Sequence, residues 1–300
     1  MLLLTGATGL IGGAVLRRLT ADGTPVRCLV RDPRRLGAER VRVQIALGDL
    51  ADPQSFRNAM RGIATVVHLA AAIRDQPQGS IEELNAIATW RMVEAAERAG
   101  VERFIFFSAL GASTHDRTRF MRSKAAAEQA VREGPVDSLI FSPSLVYAPG
   151  DAWTTLLQRF SLLPVMPVSG RGRAIYQPIW AEDVADCVMS ALRGDASGAG
   201  HNGRSASARY ELAGPETLTH TQIVRLVLRS FGKRRLLVHV PTPIVSRGLR
   251  GVELLGKSRA FATWDEAELM EVPMTSPSGT ADAERLGVTP QPMAAVLGIR

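Results

Sequence analysis

Residues 1–13 read MLLLTGATGLIGG, and this stretch decides the fold. An apolar run, Met1–Leu4, leads into Thr5-Gly6-Ala7-Thr8-Gly9-Leu10-Ile11-Gly12, and a helical pattern through Leu16, Leu19 and Ala21 follows. A glycine motif gains weight when it follows a strand and opens a helix. Gly6 permits a tight turn, and Gly9 removes a side chain where backbone must approach a pyrophosphate. Gly12 lets helix and strand pack closely. The helix N-terminus presents free N–H groups and the positive end of its dipole to phosphates. Gly6, Thr8, Gly9, Leu10, Ile11 and Gly12 therefore form the expected phosphate cradle of a dinucleotide.

The same alternation continues outward. PVRCLV is a strand, VRVQIAL alternates with period two, Gln54–Arg61 is a short helix and ATVVHLA a buried strand. Ile81–Gly100 reads as a long helix, RFIFF as another buried strand, Arg119–Glu133 as a helix and VDSLIF as a strand. Apolar strands alternating with helices imply an α/β fold, a doubly wound parallel sheet of the Rossmann type covered on both faces. The expected division is residues 1–150 as the nucleotide-binding domain and 151–300 as a smaller α+β C-terminal domain, with 178–193 packing back onto the first. Residues 151–177 read as irregular, and 194–207 as a flexible surface loop. YELAG, a helix after Thr219, and LLVHVP follow.

The end of the second strand bears on cofactor choice. An Asp or Glu there would accept from both ribose hydroxyls of NAD, whereas Val30 is followed here by Arg31-Asp32-Pro33-Arg34-Arg35. An arginine binds a 2′-phosphate that a carboxylate repels. One charge-assisted contact contributes roughly 1.5–3 kcal/mol. NADP(H) is the expected cofactor, with Arg31 as the main contact and Arg34 or Arg35 as auxiliary. The rival reading has Asp32 on the ribose and NAD(H) bound. Asp49 and Leu50 end the third strand beside the expected adenine, and Ala70 and Ala71 end the fourth.

Composition narrows the classes. The 300 residues are 46% hydrophobic and 22% charged, an ordinary globular balance, and no apolar run is long enough to span a bilayer. The N-terminus lacks the pattern of a signal peptide, so a cytoplasmic location is expected, with peripheral contact at the inner face of the membrane as an option. Cys28 and Cys187 read as small core residues, and no metal spacing is seen among the cysteines and five histidines. The formal charge of +7 rests on 36 Lys and Arg, of which only Lys124, Lys233 and Lys257 are lysine. These cations are dispersed, which argues for an anionic partner rather than sequence-specific nucleic acid.

TGATGLIGG, LVRDP, LGDL, HLAA, ELNAIAT, RFIFFSA, FMRSKAAAE, SPSLVYAPGD, QPIWAEDVA and YELAGPETLT together resemble the extended and atypical short-chain dehydrogenase/reductases over nearly the whole chain. Arg31, the SALGAS turn and the ending LGVTPQPMAAVLG are most similar to one branch. It contains the nucleotide-binding accessory subunit of respiratory complex I and its bacterial relatives. The resemblance implies a bound NADP(H) with a largely structural role there, and a respiratory complex as a partner. It also implies an active centre of Asn, Ser or Thr, Tyr and Lys. Asn85 and Lys124 match it, with Lys124 on the nicotinamide ribose. Phe120 stands where the Tyr belongs, and the hydroxyl position falls on Ala109 with Ser108 beside it. Pro143, Ser144, Leu145 and Val146 match the loop over the nicotinamide, and Trp180 replaces a frequent histidine.

A tyrosine acid supplies typically 10²–10⁴-fold, so its loss implies weak or absent carbonyl reduction. Of the three tyrosines, Tyr147, in the loop after the sixth strand at the carboxyl edge of the sheet, is the substitute acid expected near a nicotinamide, with packing or pocket lining as its plainer role. The competing function is an active reductase or epimerase/dehydratase using Tyr147, Ser108 or water. From Pro243 to Lys257 apolar and basic residues alternate as in an amphipathic helix. It either covers its own domain or docks on a membrane or partner surface.

Overall fold

In the computed structural model, residues 1–194, 208–241 and 268–299 are described. The expected amphipathic segment from Pro243 to Lys257 lies outside them, as does most of the expected loop at 194–207. The strands are β1 (Leu2–Thr5), β2 (Val26–Val30), β3 (Gln44–Leu47), β4 (Thr65–His68), β5 (Arg103–Phe107) and β6 (Asp137–Pro143), then β7 (Val146–Tyr147), β8 (Val165–Ser169), β9 (Ile175–Tyr176), β10 (Ile179–Trp180), β11 (Ala208–Leu212), β12 (Leu218–Thr219) and β13 (Leu236–Val240). The helices are α1 (Leu10–Ala21), α2 (Pro53–Ala59), α3 (Ala88–Arg98), α4 (Arg119–Glu133), α5 (Ala152–Phe160), α6 (Ala181–Arg193) and α7 (His220–Ser230), with short turns of helix at Ala281–Arg285 and Met293–Val296.

Seven strands form one sheet in the order β11-β6-β5-β4-β1-β2-β3, every pair parallel. This is the doubly wound Rossmann sheet. The chain runs outward from β1 in one direction through β2 and β3, then returns to β4 on the other side. That reversal opens a crevice beyond the carboxyl ends of β1 and β4. Strands buried on both faces need apolar residues at nearly every position, which LLLT, VRCLV and RFIFF supply.

One face packs under α1 and α6 with Leu4, Val15, Leu19, Cys28, Ile105, Val184 and Val188. The other packs under α2, α3 and α4 around Phe56, Met92, Phe104 and Phe106. Cys28 and Cys187 are both buried and free, and burial pushes each thiol up to about 12. A third core, around Tyr147, Met166, Tyr176 and Val227, lies beneath the C-terminal elements.

The chain returns to the seven-stranded sheet and its covering helices after residue 150. Helix α6 lies on α1, and a seam of ion pairs joins them, Arg18 with Glu182 at 2.9 Å and with Asp186 at 2.7 Å. Strand β11 then adds beside β6, and Ala283 and Leu286 pack into the same core. The two parts are thus interleaved rather than consecutive. The stretch 151–177 is also more ordered than its sequence suggests. Asp151 caps α5 by accepting from Thr154 N at 2.6 Å, and the prolines 164 and 167 sit beside and in β8, which among the described residues pairs with β13 alone.

Candidate functional site

A cleft of about 280 Å³ opens at the carboxyl edge of the sheet, where β1 meets β4. Of the expected cofactor contacts, Gly6, Thr8, Gly9, Arg31, Arg35, Asp49, Leu50, Ala70 and Ala71 line it. Thr5, Leu29, Gly48, Ala72, Gln76 and Leu84 line it as well. Leu10 is exposed, Ile11 half-buried and Gly12 buried at the start of α1, behind the turn.

The glycine turn separates into residues the fold requires and one it does not. Gly6 has φ +71°, and a Cβ there would come within 2.6 Å of Ala70 N. At Gly12 a Cβ would lie 2.1 Å from Gly6 O, so α1 can pack on this turn only without a side chain. Gly9 has an ordinary φ of −85°, and the nearest atom to its Cβ would be 3.3 Å away. The chain itself asks little of Gly9, whereas a ligand against the backbone would ask for it. No side chain caps α1 and no acid lies in its first turn, in contrast to α2, α4, α5 and α7, capped by Asp52, Thr118, Asp151 and Thr219. Its leading amides are left for an anion, and the residues present fit a dinucleotide.

On the adenosine side, Arg31 Nη1 lies 3.9 Å from Asp49 Oδ2, and Asp49 Oδ1 accepts from Ala51 N at 3.0 Å. Asp32 Oδ1 accepts from Arg34 N at 3.0 Å and caps the short helical turn Pro33–Val41. That carboxylate is engaged in capping, and neither it nor Arg34 lines the cleft.

Beneath the turn runs a buried hydrogen-bond chain that sequence reasoning did not find. Ala70 N donates to Thr5 Oγ1 at 3.3 Å, Thr5 Oγ1 meets His68 Nδ1 at 2.7 Å, and His68 Nε2 meets Thr89 Oγ1 at 3.0 Å. Thr89 Oγ1 donates to Asn85 O at 2.6 Å. Its proton is therefore committed, so Nε2 carries the imidazole hydrogen and Nδ1 accepts from Thr5. Burial, and secondarily the charge of Lys124, lowers His68 to about 3, which keeps it neutral. The only signal in the sequence was a histidine ending an apolar strand.

Asn85 sits in a π-helical turn, Glu83–Ile87, leading into α3. Its Oδ1 accepts from Ala72 N at 2.7 Å, and its Nδ2 donates to Ala72 O at 2.8 Å and to Ser123 Oγ at 3.0 Å. All of these hold the strand end in place. Lys124 is buried one turn beyond Phe120 on α4, with Nζ 4.6 Å from the centroid of the Phe106 ring. Burial lowers its pKa to about 7. Phe120 is half-buried against the third core. Ser108 is buried, its N donating to Phe141 O at 2.7 Å while its Oγ has no partner.

Tyr147 is not in a loop, since it pairs with Trp180 in β7 and β10. It is fully buried with an unpartnered hydroxyl, and burial together with Asp183 and Glu216 raises its pKa. It does not line the cleft. Pro143 ends β6 opposite Leu212. Ser144 Oγ donates to Met274 O at 2.6 Å and accepts from Gln177 N at 3.1 Å, so that hydroxyl ties the C-terminal chain down. Leu145 and Val146 are half-buried against the cores.

The sequence model of the NAD(P)H-binding family matches residues 6–195. The chain belongs to that family. Similar proteins include a ceramide reductase of Caulobacter vibrioides, 30% identical over 80% of this chain and 73% of that protein. Subunit 9 of the NADH dehydrogenase [ubiquinone] 1 alpha subcomplex of Mus musculus is 26% identical over 96% of this chain and 76% of its own length. Among solved structures, a nucleoside-diphosphate-sugar epimerase from Staphylococcus aureus has the same fold, with TM-score 0.74 at 18% identity over 99% of both chains. The UDP-glucose 4-epimerase of Thermus thermophilus, in complex with NAD, follows with TM-score 0.69 at 19% identity over 97% and 94%. Family membership supports a nicotinamide dinucleotide as the ligand, and no helix among the described residues is long and apolar enough to cross a membrane.

Proposed function

We propose that the chain is an NADP(H)-binding member of its family whose cofactor is retained with little carbonyl reduction. Its role is structural, in assembly or in sensing, in association with a respiratory complex. The observation that carries this reading is Phe120, one helical turn before the buried Lys124. A nicotinamide supplies hydride, but reduction of a carbonyl also needs a proton at the new oxygen. A benzyl side chain has none to give. Gly6, Gly9 and the α1 amides hold the pyrophosphate, Arg31 with Arg35 holds the 2′-phosphate, and Lys124 holds the ribose. The similarity to respiratory-chain subunits supports the partner, and a cytoplasmic or membrane-peripheral location goes with it.

A second reading, an active reductase, is favoured by two observations. Lys124 near neutrality and the unpartnered Ser108 hydroxyl are a proton source and a polar contact that a purely structural site does not need. The similarity to a ceramide reductase supports it.

The test is calorimetric titration with NADPH and NADH, together with assays of F120Y. Tighter binding of NADPH, a loss of about ten- to a hundredfold for NADPH alone in R31A, and carbonyl reduction gained in F120Y are the expected results. Equal losses for both nucleotides in R31A would remove the phosphate contact. Rapid turnover by the unaltered chain, indifferent to F120Y, would favour the reductase.

A further inference from the structure

Away from the cleft, Leu162 and Leu236 are 76% and 72% exposed, and Leu163, Val165 and Val238 are exposed with them. Strands β8 and β13 pair in parallel with Leu236 opposite Val165 and Val238 opposite Pro167. The alternate residues Met166 and Val168 enter the third core, so Val165, Leu236 and Val238 share the outer face. Arg235 Nε donates to Ser161 O at 2.9 Å and to Leu163 O at 3.1 Å, which pins the Leu162–Leu163 turn beside the strand pair.

The two stretches of chain that build this face are cationic in sequence. Residues 152–181 and 217–241 contain eight Lys or Arg and no Asp or Glu, more than the whole chain's formal excess of +7. Lys233 and Arg234 lie three and two residues before Leu236, and Arg159 lies three residues before Leu162. All three are exposed and unpaired among the described residues.

We propose that this face docks on an anionic lipid bilayer. Leu162, Leu163 and Leu236 enter the headgroup boundary, while Lys233, Arg234 and Arg159 meet lipid phosphates. Interfacial binding grows with apolar area buried and with attraction to anionic lipid, and this face offers both together. Leu162 and Leu163 stand at an exposed turn and Leu236 at the exposed start of β13. A protein partner would have to bring an apolar socket rimmed by carboxylates. The inference is independent of what the cleft binds.

The experiment is co-sedimentation of the full chain with vesicles of phosphatidylcholine alone and of equal parts phosphatidylcholine and phosphatidylglycerol. Binding to the anionic vesicles only is expected. It should be released between about 0.1 M and about 1 M salt, where the Debye length shrinks from about 10 Å to about 3 Å. L162D/L236D and K233E/R234E should each weaken partitioning at least about tenfold while keeping the melting temperature and the nucleotide titration of the unaltered chain. Absence of binding at low salt, or binding that neither pair changes, overturns the proposal. So does a dimer in light scattering that L162D/L236D dissociates, since the face would then be covered by a second copy. The nucleotide titration of the same variants keeps this outcome separate from any failure of the cofactor reading.

Discussion

The side chain of Asn85 grips the backbone of Ala72 on both of its hydrogen-bonding groups, accepting from N at 2.7 Å and donating to O at 2.8 Å. A third bond reaches Ser123 Oγ, which itself donates to Phe120 O at 2.8 Å. One carboxamide thus fixes the exit of β4, the π-helical turn and the first turn of α4 relative to one another. The resemblance to the short-chain dehydrogenase/reductases implies an Asn among the reacting groups, and here both amide hydrogens of that Asn are bonded within the chain.

Replacing Asn85 by Leu should therefore act on the cleft through its frame. Stranding the Ala72 N–H and C=O costs roughly 1–3 kcal/mol each when they stay buried. We expect a lower denaturation midpoint, and a loss of nucleotide affinity larger than that of a surface substitution. Thermal melts with and without NADPH measure both. Unchanged affinity in a destabilised variant would separate Ala72 from the cofactor.

Gly12 and Gly9 make a paired prediction from one motif. A Cβ at position 12 meets Gly6 O at 2.1 Å, backbone against backbone, with no rotamer to relieve it. Gly12→Ala should cost several kcal/mol, on the order of an overpacked core at about 1–3 kcal/mol or more. Gly9→Ala, with 3.3 Å to its nearest neighbour, should keep the melting temperature within a few degrees and lose nucleotide binding at least tenfold, on the order of 1.4 kcal/mol. Equal stability losses in the two variants would mean that the fold needs both glycines.

Much of this was legible in the sequence for a local reason. Strands buried on both faces and a glycine turn are short-range patterns, so β1, α1, α4 and the cleft residues Gly6, Arg31 and Ala70 follow from contiguous residues. The helix α4 spans Arg119–Glu133, the stretch its spacing predicts. What escaped the sequence depends on partners far apart in it. β11 joins the sheet only because β6 offers an edge, and the His68 chain joins residues from Thr5 to Thr89. α5 was hidden by the prolines 164 and 167 that follow it, although Asp151 is an ordinary helix cap. The burial of Tyr147 follows from its pairing with Trp180, a contact that no local pattern announces.

Arg119 braces the segment that carries Gln76 to the rim of the cleft. It reaches Asp75 at 2.9 and 3.0 Å and Glu82 at 2.6 and 2.9 Å, and Asp75 Oδ1 also accepts from Ile81 N at 2.9 Å. The guanidinium holds both carboxyls below their usual range. Between these anchors lies Gln76, which lines the cleft. Since both carboxylates are about half exposed, Arg119→Ala should cost no more than about 1 kcal/mol of stability. Release of NADPH in stopped flow should accelerate severalfold, and lysine should not restore it, because an ammonium cannot bridge two carboxylates as a planar fork does. An unchanged release rate would show that the rim does not retain the nucleotide.

Two buried histidines predict weakness in mild acid. Burial lowers His68 to about 3 and His220 to about 4 from an ordinary 6.5. Between those values and 6.5 the unfolded chain binds more protons than the folded one, so the histidines' contribution to stability is fully present above about pH 6.5 and is lost as pH falls. From pH 7.5 to 5.5 each histidine should remove about 1 kcal/mol. Urea midpoints at the two pH values measure this, and His68→Asn should lessen the slope. A midpoint flat over that interval would mean that the imidazoles take up protons without unfolding.

Lys124 predicts the opposite end of the scale. Its folded pKa, lowered to about 7 by burial, lies below the 10.5 of an unfolded lysine, with Glu128 opposing the shift. The Phe106 ring face, 4.6 Å away, also favours the charged form. Between about 7 and 10.5 the unfolded chain again binds the extra proton, so stability should rise as pH increases from 7 to 9, by at most about 1.4 kcal/mol per unit. Below pH 7 the fold bears the full cost of a buried ammonium. Lys124→Met removes that cost, so it should stabilise the chain at pH 6 and abolish the rise above neutrality. If Lys124 holds the nicotinamide ribose, the same variant should bind NADPH more weakly although it is the more stable protein. A methionine variant that gains stability and loses no affinity would assign this lysine to packing alone.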